Sequence, residues 1–500
     1  MEKETKQVDV QKFINDAGVA AILEKLRVDI GVREQASGKK FQVSDVYDGA
    51  GNQYVDLVQE GGGVWGVALL GYTYILEKMG IRFFSLAGTS AGAINTMLLA
   101  ATGRKEDEKA EKIIRNLLEL DMFCFVDGKP TNARFTKRIK KMIQQFILKK
   151  NYLHRIATAI KWLFILFGVF SIASFIMSII FWNGWVQLVA SLALAMWIIV
   201  IVLGVFLFQR VKVFAKSGYG LNGGKFFHEW ITTILRQNNI DTLTKLKQHF
   251  SQTPDTLAVR RDDRRDKTMG DKEVIPPGMP MLTIVTSDIT TGNKVEFPRM
   301  WELYWENTDQ VNPADFVRAS MSIPVFFETF KIPVLPAKNK RKEIWKNHLN
   351  WNGNIPNFVQ LVDGGALSNF PINVFYNPAY IIPRMPTFGI RLGGTNIQIA
   401  RDFNSISGYV QALISTLRSN TDKDFINRNK SFELGIQMVD VRKYSWLNFF
   451  MEDKAKQELF AKGALAAADF LRSFDWENYK KQRLDNYAVL QEQRSNPNNW

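Results

Sequence analysis

From Trp162 to Gln209 this chain carries no charged residue, an apolar run that few architectures accommodate. It divides at Asn183-Gly184 into residues 162–182 and 185–208. Each half, as a helix rising about 1.5 Å per residue, spans the roughly 30 Å of a bilayer's hydrocarbon. Trp162, Trp182 and Trp185 fall at the ends, where an indole favours the interface. Asn-Gly supplies a tight connection, so the pair reads as a helical hairpin. Core helices of soluble proteins seldom run apolar on every face for this length. A re-entrant hairpin fits the same pattern, so spanning and re-entrant topologies both stay open.

Charge supports the membrane reading. The chain has 64 Lys+Arg against 49 Asp+Glu, and the 14 bases between Gly128 and His228, a stretch with no Asp or Glu, account for nearly all the surplus. The rest is close to neutral, so nucleic acid is not the expected partner and an anionic membrane surface is. Bases beyond both outer ends of the hairpin put those ends, and the domain attached to them, on the cytoplasmic side. In residues 133–150 a stripe of Phe135, Ile139, Met142, Ile143, Phe146 and Ile147 faces away from Lys and Arg. That suits an interfacial helix on anionic lipid, or equally an amphipathic helix packed on the domain. The single cysteine, Cys124, excludes an intramolecular disulfide and any zinc site of paired thiolates, and suits a reducing compartment. No apolar run follows Met1–Lys6, so no signal peptide is expected there.

The remainder reads as an α/β protein. Residues 1–50 are polar, with one amphipathic helix around 10–26. Strand 54–59, a glycine turn, helix 66–79, strand 81–87, a second turn and helix 93–101 imply a parallel sheet with crossover helices. Beyond the hairpin, 221–250 reads as helical and the mixed-charge run 259–271 as a solvated loop. Residues 281–287 and 295–298 form a hairpin pair, and 313–322 a helix. Strands follow at 358–362, 388–392 and 436–441, then a helix over 454–474. The expected partition is 1–50, a first catalytic part 51–133, the basic helix and hairpin 134–217, a second catalytic part 218–475, and a tail 476–500.

Gly88-Thr89-Ser90-Ala91-Gly92 fits G-x-S-x-G, a nucleophile elbow between strand and helix. Flanking glycines permit a backbone that a Cβ would obstruct. The N-terminus of the following helix favours a developing oxyanion, with the Ala91 N–H as one donor. Gly61-Gly62-Gly63-Val64-Trp65-Gly66 also matches a dinucleotide fingerprint. That site needs an acidic residue near the end of the next strand, and none is present. Bare N–H groups of Gly61, Gly62 and Gly63 facing an ester oxygen are the better reading. The four histidines, His154, His228, His249 and His348, lie away from strand ends and read as surface residues. Asp363 ends an apolar strand before two glycines and is the better base, although alone it would read as a turn residue.

The ordered set GGGVWG (61–66), GTSAG (88–92) and DGGALSNFP (363–371) resembles the patatin-like phospholipases. RASMSIPVFFE (318–328) and TSDITTG (286–292) sit where members carry similar stretches. The resemblance covers about 54–127 and 218–471. It implies a three-layer α/β/α fold with a central, mostly parallel sheet, here interrupted by a transmembrane helical hairpin. It also implies a Ser–Asp dyad acting without histidine, metal or cofactor. Ser90 is then the nucleophile, Asp363 the general base, and Gly62 and Gly63 the oxyanion donors. Trp65 departs from the pattern, since members often carry Lys or Arg there, which puts rate or headgroup preference in question.

The expected activity is that of a membrane-anchored serine lipid acyl hydrolase, phospholipase A or lysophospholipase in type, cleaving glycerolipid esters through an acyl-enzyme. An ordinary carboxylate is a weak base at pH 7, so Asp363 needs the partly desolvated setting that an apolar acyl cleft supplies. Two alternatives are an acyltransferase using the same acyl-enzyme and a non-catalytic membrane scaffold. Headgroup, acyl length and oligomeric state are not encoded legibly.

Overall fold

The computed structural model describes residues 9–120, 150–181, 183–216, 218–262, 264, 279–334, 339–377, 380–393, 416, 422–449 and 451–495. The expected basic helix at 133–150 lies almost wholly outside them. The chain divides into two compact units, Met1–Asp127 with Gly224–Trp500, and Gly128–Gly223.

The larger unit is organised by a mixed ten-stranded sheet. Its strands are β1 (Val46–Tyr47), β2 (Gln53–Gln59), β3 (Ile81–Thr89), β4 (Ala258–Val259) and β5 (Leu282–Asp288), then β6 (Asn293–Phe297), β7 (Phe330–Pro333), β8 (Phe358–Asp363), β9 (Thr387–Gly393) and β10 (Ile436–Asp440). By hydrogen-bonded neighbour the order is β10-β9-β2-β3-β5-β8-β7, with β1 and β4 at the start of β2 and β6 on β5. The run β10-β9-β2-β3-β5 is parallel, and β8, β7 and β6 join antiparallel. Every residue of β3 and β5 is buried, as expected of strands covered on both faces.

Helices α1 (Val10–Asp16), α2 (Val19–Ser37), α3 (Gly66–Lys78), α4 (Ala91–Ala101) and α5 (Ala110–Leu118) belong to the N-terminal half of this unit. The single helix expected around 10–26 is two, because Gly18 takes a left-handed φ of 70° between them. Likewise 221–250 holds two helices, Lys225–Gln237 and Leu243–Ser251, broken where Asn239 has φ 60°. Helix α3 packs backbone to backbone on the helix Asp453–Ser473. A Cβ on Gly71 would strike the Phe460 carbonyl, and one on Gly463 the Ala68 carbonyl.

Two expectations need correction. Asp262, in the supposed solvated loop, is 8% exposed and bonds Lys480 Nζ at 2.7 Å, while Asp45 sits 3.2 Å from the same ammonium. The supposed tail from 476 is a helix, Trp476–Ser495, whose Trp476 and Tyr479 are buried in the core.

In the smaller unit, helices Lys150–Ile180 and Gly184–Lys216 pack on each other, with the Phe167 and Trp197 rings 5.4 Å apart. Gln187 Nε2 donates to the Ser178 carbonyl at 3.2 Å near the connection. Lys161–Ile180 and Gly184–Phe206, 20 and 23 residues, are long and apolar enough to cross a membrane and form a hairpin. Most of their large apolar side chains are uncovered by protein.

Candidate active site

The elbow is built by crowding. Where β3 meets α4, Gly88 has the Gly92 carbonyl at the place a Cβ would occupy, and Gly92 has the Gln59 carbonyl there. Neither position accepts a side chain without moving backbone. Ser90, between them, takes φ 54° and ψ −119°, a conformation that costs L-residues about 1–3 kcal/mol. A clamp from elsewhere in the chain holds it. Ser90 N–H donates to Ser320 Oγ at 2.8 Å, and Ser320 Oγ–H donates to the Val285 carbonyl at 2.6 Å. Ser320 ends the helix Ala314–Ser320, and Met321 next to it places its Sδ 3.4 Å from Ser90 Oγ. Arg318 fixes this segment, donating to Ser322 Oγ at 2.6 Å and to the Glu328 carbonyl at 3.0 Å.

The sheet register brings Asp363 to the same place. On β5, Val285 pairs with Thr89 of β3 and Thr286 pairs with Asp363 of β8. Strand β6 occupies the opposite edge of β5 continuously from Ile284 to Asp288. So β3 and β8 share one edge of β5 and end head to head, one residue apart. Ser90 is the residue after Thr89, and a Cβ on Gly364 would lie 2.9 Å from Thr89 Cγ2. Asp363 is 5% exposed; its Oδ1 accepts from Gly365 N–H at 2.7 Å, and its own N–H donates to the Ser322 carbonyl at 2.9 Å.

The glycine loop lies against this junction. A Cβ on Gly61 would sit 3.0 Å from Ser90 Cβ. Gly61 N–H donates to the Asn369 carbonyl at 3.0 Å, so it is committed and not an oxyanion donor. The N–H groups of Gly62, Gly63 and Ala91 have no acceptor among the described residues. Asn369 also donates from Nδ2 to Gly61 O and to Glu60 Oε1, both at 3.1 Å. Glu60 in turn accepts from Leu392 N–H at 2.6 Å, and burial raises its pKa, more than Arg391 nearby lowers it. Asp422 holds the other side of the loop after Asp363, accepting from Ser368 Oγ and Phe370 N–H, each at 2.8 Å. Burial raises this carboxyl's pKa too.

The segment after β10 braces the loop from below. Gly63 has φ 55°, and a side chain there would strike the Trp446 carbonyl, which accepts from Val64 N–H at 2.9 Å. Trp65 Nε1 donates to the Tyr444 carbonyl at 3.0 Å. The Trp65 indole therefore anchors this brace. A narrow apolar cleft of about 60 Å³ opens beside the elbow, lined among others by Gly63, Ala91, Ile94, Leu98, Met321 and Phe449.

Two histidines expected at the surface are partly buried. His228 bonds Asp315 at 2.7 Å and His249 bonds the Gly103 carbonyl at 2.9 Å. Among the described residues no three His, Cys, Asp or Glu side chains are grouped to hold a metal. Ser320, Asn369, Asp422 and Trp446 were not singled out from sequence. The first two lie inside stretches the family resemblance marked, which was the available signal.

A serine on a strained elbow in a three-layer α/β/α fold, beside a glycine loop with free donors and an apolar cleft, defines a lipid acyl hydrolase. The chain belongs to the patatin-like phospholipase family, whose model matches residues 57–376. It is 23% identical over 425 residues to the uncharacterized protein YqhO of Bacillus subtilis (strain 168), covering 85% of this chain and 100% of that one. It also resembles the crystal structure of VipD from Legionella pneumophila, at 16% identity and a TM-score of 0.35, over 87% of this chain and 71% of that one.

Proposed function

We propose that the protein is a membrane-anchored phospholipase A or lysophospholipase using a Ser90–Asp363 dyad. Ser90 Oγ attacks the ester carbonyl of a glycerolipid while Asp363 takes the hydroxyl proton. The tetrahedral oxyanion is received by the N–H groups of Gly62, Gly63 and Ala91, each such donor being worth about 10²–10³ in rate. Collapse expels the lysolipid alkoxide, which regains the proton from Asp363. The acyl group remains on Ser90 as an ester. Water, deprotonated by the same carboxylate, attacks this ester and releases the fatty acid and the free serine.

The observation that carries this reading is the head-to-head meeting of β3 and β8 on one edge of β5. Thr89 and Asp363 pair with consecutive residues of β5, Val285 and Thr286, which supports pairing Ser90 with Asp363. The apolar cleft at the elbow is where the acyl chain binds. The two apolar helices anchor the enzyme in the bilayer, and their basic flanks put the catalytic unit on the cytoplasmic side. Permanent attachment keeps the site near its substrate.

Purified protein in nonionic detergent releases fatty acid from a phospholipid or lysophospholipid, and Ser90→Ala does not. Equal release by the two proteins, or none from either, overturns the proposal.

A further inference from the structure

Away from Ser90, the N-terminal half of the central strands opens into a cavity of about 270 Å³. Asp56, in β2, lines it, and the local sheet is irregular around this residue. Val55 pairs with Phe83 and Leu57 with Leu86, so Phe84 and Ser85 together oppose Asp56 in a β-bulge. The bulge frees Ser85 N–H from the ladder, and it donates to Asp56 Oδ1 at 3.2 Å. Among the described residues no side chain forms an ion pair with Asp56. Burial raises its pKa to about 6, more than the Ser85 hydrogen bonds and the charge of Lys105 lower it.

The segments that cover the sheet here carry the opposite sign. Arg384 and Arg483 line the same cavity. Arg483 lies over the Tyr376 and Phe432 rings at 5.3 and 5.1 Å, and its Nε has no hydrogen-bond partner among the described residues. The cavity thus presents a carboxylate on its sheet side, two guanidinium groups on its covering side, and aromatic and methionine walls between. A ligand complementary to it is itself dipolar, with a hydrogen-bonding cation and an anion separated by a few bonds. Two guanidinium forks favour phosphate, which accepts several hydrogen bonds at once. An ammonium suits a carboxylate framed by rings.

We propose that this cavity binds an ammonium–phosphate zwitterion of the phosphoethanolamine kind, its amine received by Asp56 and its phosphate by Arg384 and Arg483. The assignment is independent of the Ser90 chemistry. The same chemistry occurs in the free headgroup and in a lysolipid, and Met279 and Met281 beside the cavity offer contact for the first methylenes of a chain.

Calorimetric titration of the full chain in nonionic detergent with O-phosphoethanolamine, and separately with lysophosphatidylethanolamine, tests this. One saturable site is expected for O-phosphoethanolamine; for the lysolipid, titrated into Ser90→Ala so that no heat of hydrolysis intrudes, this site is the component that Asp56→Asn and Arg483→Met remove, apart from binding at the elbow. Asp56→Asn and Arg483→Met should each weaken binding at least about tenfold, and Ser90→Ala should leave it unchanged. Inorganic phosphate and ethanolamine should each bind at least about tenfold more weakly than the zwitterion. Binding of the lysolipid alone, still lost in both variants, assigns the site to a lipid headgroup. If Asp56→Asn does not fold, Arg483→Met and Arg384→Met decide. Binding of neither ligand, or binding that these variants leave intact, overturns the proposal.

Discussion

Ser90 holds its φ of 54° because its N–H reaches Ser320 Oγ, and that hydroxyl is itself fixed on the Val285 carbonyl. Replacing Ser320 by alanine removes the clamp without touching either dyad member. We expect kcat to fall about 10- to 100-fold with little change in KM, and threonine to restore most of it. Unchanged kinetics in Ser320→Ala would assign the hydroxyl a structural role only. Ser90 and Asp363 are legible in the sequence because each sits in a short motif whose glycines are locally required. Ser320 is not, since its partner lies 230 positions away and only the sheet register brings them together. Asn369 and Asp422 are hidden for the same reason, and an asparagine or a serine in a loop has many ordinary uses. Gly61 shows the opposite failure: a motif glycine whose donor is spent on Asn369.

Among the elements, strands are legible wherever both faces are buried, as in β3 and β5, because the apolar run is then continuous. Helix breaks at Gly18 and Asn239 are not, because amphipathic periodicity continues across a single left-handed residue. The α3–α5 junction carries a testable electrostatic device. Glu77 of α3 accepts from Lys109 N–H at 2.9 Å and Ala110 N–H at 2.8 Å, capping α5, while burial lifts its pKa from 4.5 to about 7. A carboxyl raised on folding binds its proton more tightly in the folded chain. Its contribution to stability is therefore full below about pH 4.5 and is lost as pH climbs through about 7. Glu77→Gln keeps an acceptor for the cap but cannot ionise. Denaturation at a series of pH values should show wild type losing stability between about pH 5 and 7 relative to Glu77→Gln, with the two closest at the acid end. Parallel curves would mean that Glu77 does not titrate differently in the folded state.

At the scale of the whole molecule, the family match spans 57–376, yet the brace under the glycine loop, from Tyr444 to Phe449, lies beyond it. The C-terminal helix Trp476–Ser495 is likewise tied in, through Lys480 between Asp45 and Asp262. Composition hid this tie: a charged run such as 259–271 reads as solvated unless its partners are known, and Lys480 supplies the partner of Asp262 from 218 positions away. The apolar hairpin is the converse, legible without any fold because length and lack of charge suffice. Its topology has a direct readout. With Cys124 replaced by serine, a cysteine at Asn183 should react with an impermeant maleimide from the side opposite the catalytic unit. Labelling only from the catalytic side would make the hairpin re-entrant.

If Asp363 makes Ser90 nucleophilic, as proposed, the cause is the register that ends β3 and β8 one residue apart on the same edge of β5. Reaction of the full chain with a fluorophosphonate, followed by peptide mass spectrometry, tests this proposal most directly. One covalent adduct is expected on Ser90, none on Ser90→Ala, and labelling slowed by about 10³ or more in folded Asp363→Asn. An adduct elsewhere, or Asp363→Asn reacting as fast as wild type, would contradict it.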